Sequence, residues 1–108
     1  MSEIETEPAG VIRVRRERQF FGFVMRAYVH LDGVVVGRLR PGQMLTVAAA
    51  PGAHTLHVRG VGLGAIIASD TRPIHLRPGE RADFHLVVFT DMLRSSFQLH
   101  RLSPPRLP

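Results

Sequence analysis

Arg26-Ala27-Tyr28-Val29-His30-Leu31-Asp32-Gly33-Val34-Val35-Val36-Gly37 alternates apolar and polar side chains and then turns on an Asp-Gly pair. Successive side chains of a strand point to opposite faces, so Ala27, Val29 and Leu31 share one face while Arg26, Tyr28 and His30 share the other. Asp-Gly supplies the positive φ angles of a type I′ turn, which predicts a tight hairpin across Leu31-Asp32-Gly33-Val34.

The same period of two recurs along the chain. Leu45, Val47 and Ala49 oppose Met44, Thr46 and Ala48, and Leu56 and Val58 oppose His57 and Arg59. Ala82, Phe84, Leu86 and Val88 oppose Asp83, His85 and Val87, and Phe97 and Leu99 oppose Gln98 and His100. Pro41-Gly42, Pro51-Gly52 and Pro78-Gly79 punctuate these runs at strand-length intervals, and no window holds a helical period for long. Strands are expected near 11–18, 23–31, 34–39, 43–50, 53–60, 72–77, 81–89 and 96–102. The expected architecture is an all-β, about eight-stranded, mainly antiparallel β-sandwich, Ig-like or transthyretin-like in outline.

Two turns carry topological information. Arg40-Pro41-Gly42-Gln43 and Arg77-Pro78-Gly79-Glu80 fit type II turns, with Pro second and Gly third. That geometry suits a tight hairpin poorly, so these turns are expected to take the chain around a corner or from one sheet to the other. The echo of Leu39-Arg40-Pro41-Gly42 in Leu76-Arg77-Pro78-Gly79 is read as reused turn chemistry, with no repeat assigned.

The chain of 108 residues has room for one core. Residues 1–10 read as a disordered acidic lead, residues 11–102 as the β-sandwich domain and residues 103–108 as a Pro-rich tail. There is no cysteine, which removes disulfides and thiolate metal sites. The polar, acidic start lacks the basic and apolar regions of a secretory signal, so the expected compartment is the cytoplasm. No apolar run reaches the roughly 18 residues of a membrane helix. The net charge is +5, carried by fourteen arginines without a lysine. The missing lysine is read as codon bias in a GC-rich genome, while the basic surface still points toward acidic partners.

Val29-His30-Leu31-Asp32-Gly33-Val34-Val35-Val36-Gly37, followed by Ala50-Pro51-Gly52-Ala53-His54-Thr55-Leu56-His57-Val58, resembles the bacterial PEGA-type domains. Their pattern runs valine-x-valine-Asp-Gly-x-x-x-Gly, then Pro-x-Gly-x-His-x-Leu-x-Val, and the likeness covers residues 26–90. Two departures stand out. The glutamate of the eponymous tetrapeptide is missing before Gly52, and Gly60-Val61-Gly62-Leu63-Gly64 replaces the Gly-Tyr that often follows. The resemblance implies a β-sandwich used as an accessory, adhesive or scaffold module, with no catalytic residues to carry over. Many relatives are extracytoplasmic.

Candidate chemistry is sparse. His54 and His57 fall on opposite faces of one strand and cannot chelate as a pair. His30, His57, His75, His85 and His100 take the polar side of their runs, without a spacing typical of zinc enzymes. His54 shares its parity with Leu56 and Val58 and is expected to bond a turn carbonyl. No serine sits in a Gly-x-Ser-x-Gly elbow, and Gly60 to Gly64 lacks the strand and helix of a dinucleotide loop. No catalytic residue, metal or cofactor is expected.

Two surfaces remain. Arg13, Arg15, Arg16 and Arg18 form the best polyanion-binding candidate, with a solvated strand that blunts a sheet edge as the simpler reading. Val61 to Asp70 reads as an apolar connecting segment without alternation, in which Leu63, Ile66 and Ile67 would contact a partner or plug the sandwich. The expected function is a non-enzymatic protein-interaction or scaffold module, with an unknown protein partner or self-association. The alternative is nucleic-acid or polyanion binding through the Arg-rich strand, and an enzyme of unknown type ranks third.

Overall fold

A computed structural model describes residues 7–18, 26–61, 66–90 and 95–102. It contains β1 (Gly10–Arg16), β2 (Arg26–Leu31), β3 (Val34–Leu39), β4 (Met44–Ala49), β5 (Gly52–Val61), β6 (Ile66–Leu76), β7 (Arg81–Thr90) and β8 (Ser95–Leu102). Among the described residues no helix is long and apolar enough to cross a membrane.

The strands follow the hydrogen-bonded order β3-β2-β5-β6-β8-β7-β1-β4. The junction in the middle is thin, because among the described residues β6 and β8 pair only at Ile67 with Ser95 and Ala68 with Ser96. Farther along, Asp70 takes the place of a ladder partner, its Oδ2 accepting the Leu99 N–H at 2.7 Å. Two four-stranded sheets diverge from this seam. In β3-β2-β5-β6 every pairing is antiparallel. In β8-β7-β1-β4 the β7–β1 pair is parallel and the others are antiparallel.

Each sheet turns its apolar parity inward. Ala27, Val29, Leu39, Leu56, Val58, Ile74 and Leu76 come from the first sheet. Ile12, Val14, Ala49, Ala82, Phe84, Leu86, Val88, Phe97 and Leu99 come from the second. All of them join one core cluster, with Leu31, Val36 and Leu45 packed at its margin. Burying a side chain the size of Leu86 or Phe97 contributes about 1.5–3 kcal/mol, so a period of two sustained over eight strands specifies a two-layer sandwich.

The turns behave as their residues require. Asp32 and Gly33 have φ of 52° and 82°, both positive as a type I′ hairpin demands. Gly42 and Gly79 have φ of 81° and 72°, and each Pro-Gly turn closes with a 3.0 Å hydrogen bond, Gln43 N–H to Arg40 O and Glu80 N–H to Arg77 O. Both turns carry the chain between sheets, from β3 to β4 and from β6 to β7. Their last residues reach back in the same way: Gln43 Oε1 accepts the Arg40 N–H and Glu80 Oε1 accepts the Arg77 N–H, each at 2.9 Å. β1 lies between the two strands these turns launch, and its flanks bind both. Gly42 N–H donates to Arg16 O at 2.9 Å and Gly79 N–H to Pro8 O at 3.0 Å. Pro8, within the segment expected to be a disordered lead, is thus held by a backbone contact.

Two expectations need correction. The described part of Val61 to Asp70 is strand and not a connecting segment: β5 runs through Val61 and β6 begins at Ile66, with Val61 paired to Ile66 and Gly60 to Ile67. A register shift between Val58 and Gly60 displaces the alternation there, and Ile67 is paired on both sides, to β5 and β8. Nor is β1 an edge strand, since β7 and β4 flank it.

Candidate interaction surfaces

The arginines of β1 do not act as a unit. Ile12, Val14 and Arg16 share the inward parity, and Arg16 is only 1% exposed. Its Nη1 donates to the Leu39 carbonyl oxygen at 2.7 Å, and its guanidinium lies over the Phe97 ring, 5.3 Å from the centroid. Burial lowers its pKa from the ordinary guanidinium value. Arg16 thus ties the end of β3 to the inner face of β8, and is not part of a solvated basic face. Arg13 points outward but is held by Asp83, with Nε 2.8 Å from Oδ1, and Arg81 binds the other oxygen of the same carboxylate at 3.1 Å. Arg15 and Arg18 stay exposed beside a cleft of about 530 Å³. Glu17, bonded to the His85 ring, places a carboxylate in that cleft and opposes an incoming anion.

The second set of sequence candidates is less informative. Leu63 lies outside the described residues. Ile66 and Ile67 are placed as backbone in β6, and their side chains also lie outside the description.

His54 and Asp32, 22 residues apart, meet at the end of the first sheet. The His54 Nδ1 lies 2.6 Å from Asp32 Oδ2, and its Nε2 lies 2.6 Å from the Ala50 carbonyl oxygen. Asp32 Oδ1 also accepts the Thr55 N–H at 2.8 Å. Both ring nitrogens face atoms that only accept, so the doubly protonated ring alone satisfies both contacts. The Ala50 carbonyl and then Asp32 raise the His54 pKa, while His54 and the Thr55 amide lower that of Asp32. A hollow of about 410 Å³ adjoins the pair. The nitrogen that a general base would offer is turned to a backbone carbonyl, so the pair fastens the β2–β3 turn to the approach of β5. The turn-carbonyl contact is the one expected for His54; the Asp32 contact was not legible, because nothing local links the two residues.

The outer face of the first sheet gathers chemistry that sequence reading left scattered. Register sets Arg38, Tyr28 and Arg59 side by side across β3, β2 and β5. The next row holds Val35, His30 and His57, and Thr71 of β6 continues it. The His30 and His57 rings meet edge to face at 5.5 Å, and His57 Nδ1 lies 2.7 Å from Thr71 Oγ1. Arg26 and Arg38 flank the Tyr28 phenol, and Arg26, followed by Arg38, holds its pKa below the ordinary value. None of the described outward positions of these four strands carries a carboxylate. Asp32, at the turn, is already engaged by His54 and Thr55.

β3 borders this face as the terminal strand of its sheet, and among the described residues no strand pairs with its free edge. Val34 and Val35 on it are 64% and 55% exposed. A bulge at Val36 separates them from Arg38, since Val29 pairs with Gly37 while His30 pairs with Val35. At Gly37 the edge passes close to β4, where an added Cβ would come within 2.7 Å of Leu45 Cδ1. The opposite edge, β4, exposes Met44 at 54%.

Comparison of the chain with protein-family models, with curated proteins and with solved structures finds no match in any of the three.

Proposed function

We propose that this domain is a non-enzymatic protein-interaction module that takes its partner at the edge of β3. One observation carries the reading: β3 ends its sheet while holding Val34 and Val35 more than half exposed. An edge strand presents a row of free N–H and C=O groups, and chains that add a strand gain those hydrogen bonds together with side-chain contacts. Proteins that keep an edge inert place charge, proline or a bulge there; β3 has Arg38 and a bulge at Val36, but its first two residues, Val34 and Val35, leave the edge apolar and exposed. The resemblance to PEGA-type domains supports the same class of role. The residues that carry that resemblance do structural work: Asp32 binds His54, Gly33 turns the hairpin and Gly37 clears Leu45.

The test is affinity recovery from the source organism with three proteins: the native chain, a Val34→Lys/Val35→Lys variant and a Met44→Lys variant. All three positions are exposed, so stability should shift by no more than about 0.5 kcal/mol. A partner recovered by the native chain and by Met44→Lys, and lost with the double lysine variant, is the expected result. A partner that survives the double variant and is lost with Met44→Lys overturns the reading.

A further inference from the structure

Resting on the β3-edge reading, we infer that the partner is an extended peptide segment with an acidic side chain beside Arg38 and an apolar one beside Val35. A strand added to β3 lies about 4.8 Å away and extends the existing cross-strand rows by one place. The first of those rows already runs Arg59, Tyr28, Arg38, and the second runs Thr71, His57, His30, Val35. The next residue in the first row meets a guanidinium, and the next in the second meets an exposed valine. The bulge at Val36 shifts the usual two-residue spacing between them on β3.

The first row asks for a negative charge. Arg38 and Arg59 flank Tyr28 in one cross-strand row, Arg26 precedes it by two residues on the same face of β2, and no carboxylate stands at the described outward positions of the sheet. Like charges held together are relieved by an anion, and each guanidinium offers five N–H donors. A peptide carboxylate beside Arg38 meets that fork in the geometry guanidinium favours.

A single-stranded nucleic acid would supply anions too, but it fits less of the surface. Such ligands gain from free aromatic platforms, whereas Tyr28 is the one aromatic residue other than histidine at the described outward positions of this sheet, and Arg38 and Arg59 flank it. Phosphates would also leave Val34 and Val35 without a contact, while an acidic and apolar strand uses both the edge and the face.

The experiment selects a displayed library of random linear peptides on the immobilised full-length chain. Parallel selections use Val34→Lys/Val35→Lys and an Arg26→Gln/Arg38→Gln/Arg59→Gln variant, and each protein is also titrated with a single-stranded oligonucleotide. The native chain should enrich peptides with Asp or Glu two or three places from an apolar residue. Affinity for the consensus peptide should fall roughly tenfold or more in the glutamine variant, as loss of charge-assisted hydrogen bonds implies. Enriched peptides free of acidic bias, yet lost with the double lysine variant, would leave strand addition standing and defeat the acidic partner. No enrichment that responds to the double lysine variant would defeat the β3 reading, and this inference with it. Oligonucleotide binding that persists at physiological salt and is lost in the glutamine variant would assign the face to nucleic acid instead.

Discussion

His54 and Asp32 are bonded at 2.6 Å across 22 residues of chain, and the second ring nitrogen of His54 meets a backbone carbonyl at the same distance. The contact fixes the charge state of the ring before it fixes anything else.

The sign follows from linkage. The folded pKa of His54 is raised above 6.5, so its contribution is fully present below that value and is lost as pH rises through the raised pKa. The pKa of Asp32 is lowered from 3.8, so its contribution is present above that value and is lost as pH falls through the lowered pKa. The pair therefore stabilises most between these limits. The Tm gap between the native chain and His54→Gln should be wide at pH 5.5 and should narrow by pH 8.5. An unchanging gap would mean that the ring is not held in its cationic form.

Arg16 should behave as a core residue. Arg16→Ala removes the cover of Phe97 and the donor to Leu39, and should cost about 2–4 kcal/mol in urea unfolding. Arg16→Met keeps most of the apolar stem and should cost less, because hydrophobic replacement of a buried charge is often near neutral. Arg15→Ala, on the exposed parity of the same strand, should stay within about 0.5 kcal/mol. Equal effects at positions 15 and 16 would contradict the inward placement of Arg16.

Asp70 should act locally at the seam between the sheets. Asp70→Ala strips the Leu99 N–H of its acceptor, an expected loss of about 1–3 kcal/mol if that amide stays dry. Amide hydrogen exchange should accelerate at Leu99 far more than at Leu86, which pairs with it from β7. Equal acceleration at both amides would show that the carboxylate does not hold the junction.

Most strands, their inner faces and the chemistry of three turns are legible in the residues alone. These are local properties: the alternation at Ala27 and Val29 and the backbone freedom of Gly33, Gly42 and Gly79 are set within a few residues. Burial of Arg16 is implied by its shared parity with Ile12 and Val14, but four arginines close together carry a charge signal that suggests a surface. The start of β6 is hidden in the sequence, because the register shift at Val58 and Gly60 breaks the alternation that marks a strand with one polar face. Which strands lie side by side emerges only from the folded arrangement. That choice put β1 in the middle of its sheet and β3 at an edge, joined Asp32 to His54 and aligned Arg38, Tyr28 and Arg59 in one row. Cross-strand neighbours are set by pairing register over long separations, which the spacing of residues within one strand does not encode.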